Sequence, residues 1–306
     1  LAYSNKDAMI TAWFIAFMVV VGALVGLVSS FFGVGACFIM VPVMIYCFEN
    51  FFSTNPSLST VIAFGTNMAI VVPTALSGAL RHRRELKSRG FSFPVGHWVR
   101  FGLPVGVGSV IGALITFLFY EAFPKQAGIV LKMAFGAFCL FGAYRFMVAK
   151  PLRIEELKPP STVKYGVAGL LSAIAAHFIG IGGGIVYMPI LNSFLSVPVH
   201  YAVPISLASM CIGSSVGSIS FAAFGHMDQV RHPDMYPPLS FGWFNLLAFA
   251  FIGASSIAFA QLGPKLAHKT SPKKYKILLA IVYAYIGVRL ILRGAFQIQG
   301  LHPPIP

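Results

Sequence analysis

Between Met9 and Leu292 the sequence returns about ten times to an apolar stretch, and most of its ionisable residues lie in the connections. Several of these stretches reach the roughly 20 residues that carry a helix across the ~30 Å hydrocarbon core of a bilayer. With 10% charged residues against 57% hydrophobic and a mean hydropathy of +0.81, a chain of 306 residues has too little charge to cover a soluble globule. In lipid every backbone polar group must be paired within the protein, so such runs fold as helices. The expected class is all-α, a polytopic membrane protein with about ten membrane segments.

The first five segments are expected at 9–32, 36–48, 58–80, 98–120 and 129–148. A linker at 150–164, rich in proline and charge, marks the midpoint. Five more follow at 165–179, from the glycines to 197, and at 201–224, 241–262 and 277–292. The chain then divides into a first membrane repeat (1–149), a cytoplasmic linker (150–164), a second membrane repeat (165–294) and a Pro-rich tail (295–306). Leu1 to Asp7 hold no basic n-region and no cleavage site, so no removable signal peptide is expected.

The division into repeats rests on matched residues. Gly180, Gly182, Gly183 and Gly184 interrupt an apolar run that begins at His177 and ends at Pro189. Phe31 to Pro42 repeats the pattern at an offset of 147, with Gly33, Gly35 and Pro42 falling on Gly180, Gly182 and Pro189. Lys132 and Arg145 recur as Lys276 and Arg289 at an offset of 144. Ala63 to Met68, containing Gly65, Thr66 and Asn67, parallels Ala202 to Leu207, containing Ser206. Glycine-broken apolar segments at corresponding places in two halves point to a transporter's binding site. Each segment beside Gly180–Gly184 is only ~23 Å long as helix, so Gly-broken full spans and re-entrant hairpins both remain open.

Charge sets the expected orientation. The formal net charge is +14, and a basic chain invites a nucleic-acid reading, but the Lys and Arg residues cluster in short loops. Two five-segment halves of opposite orientation bring Arg81–Arg100, Lys150–Lys164 and Lys265–Lys276 to one face, which gathers 15 of the 22 basic residues. The positive-inside rule makes that face cytoplasmic, with both termini outside and the second repeat inverted relative to the first. Nucleic acid is then not a partner, and the lipid bilayer is.

The informative polar residues inside the apolar runs are Thr66, Asn67, His177, Asn192, Ser206, Ser209, Ser214 and Asn245. The eight acidic residues fall in loops or at segment ends, which removes the usual carboxylate of a proton- or sodium-driven carrier. His177 reads either as a proton-coupled or substrate-contacting group or as a neutral histidine bonded to a neighbouring carbonyl. Thr66 and Asn67 read either as substrate ligands or as interhelical hydrogen bonds. Backbone N–H groups freed at Gly182, Gly183 and Gly184 suit an anion at a helix start; close helix crossing is the alternative. Four cysteines without C-x-x-C spacing indicate neither zinc nor a disulfide framework. No G-x-S-x-G, HExxH, Walker or GxGxxG context is present, so neither an enzyme nor a cofactor is expected.

The two glycine motifs, each followed by proline, and the Gly65-Thr66-Asn67 element resemble the sulfite exporter TauE/SafE family of bacterial membrane permeases. The resemblance covers nearly the whole chain. It implies export of a small sulfur-containing anion (sulfite, sulfoacetate or a related sulfonate) across the bacterial inner membrane. It also assigns Gly33, Gly35, Thr66, Gly180, Gly182, Gly183 and Gly184 to the family's repeated motifs. This chain departs from the pattern at Ala36 and Cys37, where glycines are usual, and at Asn67, where serine is usual. The reading is a secondary carrier working by alternating access. Its expected substrate-binding set is Gly33, Gly35, Thr66, Asn67, His177, Gly180, Gly182, Gly183, Gly184 and Ser206. The rival is a non-transporting membrane subunit that scaffolds a larger complex; a homo-oligomer or a membrane-complex partner is left open.

Overall fold

The computed structural model describes residues 5–32, 37–88, 90–148, 157–260 and 272–301. Among them it forms ten α-helices, designated α1 (Asn5–Phe32), α2 (Cys37–Phe51), α3 (Pro56–Ser88), α4 (Val95–Ala122), α5 (Ala127–Val148), α6 (Thr162–Phe178), α7 (Gly184–Pro189), α8 (Val199–Arg231), α9 (Leu246–Ala260) and α10 (Pro272–Ile298). A π-helical turn, Ile190–Phe194, continues α7 beyond Pro189, whose ring removes a backbone donor. Five stretches, 56–88, 95–122, 127–145, 200–231 and 280–298, are long and apolar enough to cross a membrane. The chain is a multi-pass helical membrane protein.

Helix ends follow local chemistry. After α3, Gly90 at φ +79° donates to Lys87 O, and Phe91 donates to Leu86 O at 2.9 Å. The same paired bonds close α6 at Gly180 (φ +67°) and α10 at Gly300 (φ +69°). This is the glycine-capped helix stop, in which a left-handed residue returns two amides to the last carbonyls.

Several boundaries differ from the sequence reading. Arg81 to Lys87 are not loop; they extend α3 by two turns. Glu49 lies in the last turn of α2 rather than in a loop. Phe241 belongs to a two-residue antiparallel ladder (Ser240–Phe241 with Phe244–Asn245) and α9 starts only at Leu246. The expected tail begins inside α10, which runs to Ile298.

The helices pack most extensively as α4 with α6, α1 with α9, α3 with α8 and α5 with α10, and α4 lies along α8 to much the same extent. Exchanging α1–α5 with α6–α10 maps the first four of these pairs onto one another, but it maps α4–α8 onto α3–α9, a much smaller contact. The first two are parallel: Gly169 packs on Phe101 and Gly112 on Ile174, while Gly22 meets Ile252 and Gly26 meets Ser256. The third and fourth are antiparallel: Ser218 Oγ donates to Gly65 O at 3.1 Å while Gly78 faces Leu207, and Gly136 faces Gly287 while Gly142 faces Tyr283. Small residues make these crossings close, as expected where lipid removes any hydrophobic drive between helices. Large apolar side chains such as Leu103, Leu171 and Ile219 face outward and are at least 60% exposed, the surface a bilayer would cover.

Candidate functional site

The break between α6 and α7 lies against α3, α4 and α8. Gly182 (φ +73°) and Gly183 (φ +97°) are both left-handed, a geometry open to glycine and strained for other residues. Gly183 O accepts from the amides of Val186 and Tyr187, each at 2.9 Å. The amides of Gly182, Gly183 and Gly184 have no hydrogen-bond partner among the described residues. Gly180 differs. Its amide is spent on His177 O at 3.2 Å, and its carbonyl accepts from Asn67 Nδ2 at 2.9 Å. Gly180 therefore stops α6 and anchors α3, and its polar groups are occupied by the protein.

Neighbouring side chains complete the setting. Asn67 is fully buried and its Oδ1 has no partner. Ser214 of α8 donates to Gly182 O at 3.2 Å. His177, also fully buried, places Nδ1 2.9 Å from its own helix's Ala173 O and 3.3 Å from Ser109 Oγ of α4. The Ser109 hydroxyl is itself given to Val105 O at 2.7 Å. With Nδ1–H donating to Ala173, the neutral ring keeps its lone pair on Nε2, which has no partner. A Cβ added at Gly217 would stand 3.0 Å from that nitrogen and 2.8 Å from Met68 Sδ. Tyr187 OH, packed against Phe101, is buried and unpartnered as well. Buried polar atoms left unsatisfied are few in folded proteins, and each calls for a physical explanation such as strain, a water or an ion.

Not every expected residue joins this cluster. Thr66 is buried and its Oγ1 accepts from the Asn245 amide at 2.9 Å, tying α3 to the start of α9. Ser206 is buried on α8 but at another level. Because α3 and α8 are antiparallel, Ser206 lies roughly 15 Å along the helix from the level of Asn67. Gly33 and Gly35 lie outside the described residues. Ser109 and Tyr187 were not among the expected residues. Tyr187 sits inside the glycine motif, but Ser109 carries no signal beyond the small residues around it.

The sequence profile of the sulfite exporter TauE/SafE group matches residues 18–290 of this chain. The chain belongs to the TauE/SafE family. Relatives of the same length class are transporters by name. A probable membrane transporter protein of Methanocaldococcus jannaschii is 24% identical over 90% of this chain and 94% of its own. One from Bacillus subtilis, YunE, is 25% identical over 92% and 98%, and one from Haemophilus influenzae is 26% identical over 92% and 99%. No solved structure matches the chain. For a TauE/SafE protein the described residues offer no cluster of three or more metal-type ligands. Its chemistry at the break is one of amides, hydroxyls and one imidazole.

Proposed function

We propose that this chain is a secondary carrier that exports a small sulfur-containing anion (sulfite, sulfoacetate or a related sulfonate) by alternating access. The observation that carries the reading is the run of unpartnered amides at Gly182, Gly183 and Gly184, held open by two left-handed glycines inside a helical bundle. Successive free N–H groups form a concave anion receptor, and no carboxylate is found among the side chains described around it. Asn67, Ser214 and His177 border the receptor and set selectivity. His177 presents a lone pair at Nε2, so it binds an oxyanion only when protonated there or through a water.

The two halves, 1–149 and 165–294, act as inverted repeats joined by the linker at 150–164. The antiparallel pairing of α3 with α8 and α5 with α10, together with the parallel pairs α4–α6 and α1–α9, supports this: an axis in the membrane plane makes each self-paired helix run against its mate. The basic face is cytoplasmic, the membrane is the bacterial inner membrane, and both termini lie outside.

Flux of labelled sulfite and of a labelled sulfonate into proteoliposomes tests the assignment. Gly183→Leu puts a side chain on a left-handed residue and into the Tyr187 ring, and is expected to abolish flux while wild-type protein transports. Equal rates would remove the site.

A further inference from the structure

The helix α6 stops short of the face opposite the basic one. At its end Phe178 O accepts from Thr116 Oγ1 of α4 at 3.1 Å, and Tyr120 lies one turn further along α4. The space beyond is filled by the chain between α8 and α9. Leu239 to Leu246 form a closed hairpin, in which the Leu246 amide donates to Leu239 O at 3.0 Å around the two-residue ladder. Asn245 Nδ2 adds bonds to Pro238 O at 2.9 Å and to Ser240 Oγ at 3.0 Å. The hairpin sends Trp243 into the bundle. Its indole is fully buried and packs on Tyr120, Phe221 and Phe117, with ring centroids 5.1, 5.7 and 6.0 Å away. Gly65 of α3 and Gly225 of α8 make its place, because a Cβ on either would strike the Trp243 backbone. Phe64, beside Gly65, lies in turn against Gly180. Trp243 and Phe64 thus stand in series between the glycine break and that face.

Little outside the hairpin holds it there. Among the described residues three hydrogen bonds tie it to neighbouring helices. Gln229 of α8 donates to Ser240 O at 2.9 Å and accepts from the Gly242 amide at 2.6 Å, and Thr66 of α3 accepts from the Asn245 amide at 2.9 Å. The bonds inside the hairpin would travel with it. Leu239, at its base, stands at φ +56°, a left-handed backbone that strains a leucine. The helices around it cross at glycines with almost no free space, so the hairpin is the part that moves at least cost. Leu239 and Phe241 are already more than half exposed. Turned outward, the hairpin carries Trp243 toward the membrane–water interface, where such rings are enriched. We infer that the hairpin 239–246 is the outer gate of the carrier, with Trp243 as its plug and Gln229 as its latch, closed in this structure. The inference rests on the carrier reading, since only a transported solute needs the way out to open.

The test uses the full chain in a variant without its native cysteines. His226 of α8 and Phe241 of the hairpin stack with ring centroids 4.8 Å apart, and both are exposed. In the double variant His226→Cys, Phe241→Cys a short bismaleimide ties the hairpin to α8, whereas N-ethylmaleimide only caps the two thiols. After excess reagent is removed, linked protein in proteoliposomes should carry labelled sulfite about tenfold more slowly than capped protein. Equal rates overturn the gate. A second measurement labels Ser218→Cys in intact cells with an impermeant maleimide. Ser218 is buried on α8, one turn nearer the basic face than Phe221. Gln229→Ala removes both latch bonds, leaves Trp243 in place, and should make that labelling roughly fivefold faster. Trp243→Ala should make it faster still. Unchanged labelling in both variants overturns the gate. So does an equal rise at Ser209→Cys, which lies deeper on α8 and would report a loosened fold. Flux separates the two readings. Sulfite flux abolished by Gly183→Leu yet untouched by the link removes the gate and leaves the carrier. No flux of any anion removes the carrier, and the gate with it.

Discussion

Glu49 is one carboxylate shared by two cations. Lys132 Nζ, fully buried, lies 2.8 Å from its Oε1, and an Arg293 guanidinium nitrogen lies 2.6 Å from its Oε2. Lys132 also donates to Gln297 at 3.0 Å, and Arg293 stands 5.9 Å over the Tyr46 ring. Deleting one member of a buried pair leaves an uncompensated charge and costs about 3–5 kcal/mol, whereas removing one of two cations that share a carboxylate leaves the other cation to balance it. The two single variants should therefore differ sharply. Glu49→Gln, which strands both cations, is expected to lower thermal stability in detergent by several degrees. Lys132→Met leaves Glu49 with Arg293 and should change it little. Equal losses from both would show that the carboxylate is not the centre of the group. From the sequence alone the second apolar segment ends at 48 and leaves Glu49 just outside it. That α10 folds back onto α2 is a long-range fact no local pattern contains.

At the level of elements, the α5–α10 crossing depends on absent side chains. A Cβ at Gly136 would sit 2.9 Å from Gly287 O, and one at Gly287 2.7 Å from Gly136 O. Overpacking of this kind typically costs about 1–3 kcal/mol, so Gly136→Val should lower the unfolding temperature. Gly253 on α9 is the control: nothing lies within 4 Å of an added Cβ. There Gly253→Ala is expected to be neutral or mildly stabilising, since alanine favours helix over glycine by about 1 kcal/mol. If both substitutions behave alike in a thermal melt, close approach is not what holds the pair. The same element scale explains the repeat's limits. Asn67 and Ser206 correspond by sequence, yet antiparallel packing of α3 on α8 carries them to opposite levels. Correspondence in sequence is not adjacency.

For the molecule as a whole, charge segregation is the largest signal. Arg81, Arg83, Arg84 and Lys87 extend α3 at the end where Arg100 donates to Thr162 Oγ1 at 3.0 Å. Arg231 pairs with Glu121 at 2.7 Å where α8 and α4 end, away from that face. In cells expressing a variant without its native cysteines, Ser88→Cys should react with an impermeant maleimide only after the membrane is opened, and Asp234→Cys should react at once. The opposite order would overturn the proposed orientation.

The sequence alone determined that this chain lives in lipid, that it is helical, and that its backbone breaks at Gly180–Gly184. Composition, apolar run length and left-handed glycines are local properties, and lipid leaves them few alternatives. Tertiary structure decided which of those glycines keeps free amides. Gly180 gives its amide to His177 O in capping α6 and its carbonyl accepts from Asn67 Nδ2, whereas the amides of Gly182, Gly183 and Gly184 find no partner among the described residues. It also decided that His177 turns Nδ1 to its own helix, that Glu49 meets Lys132 and Arg293, and that Trp243 enters between α3, α4 and α8. Each depends on which helix lies beside which, and helices of similar hydropathy do not announce their neighbours.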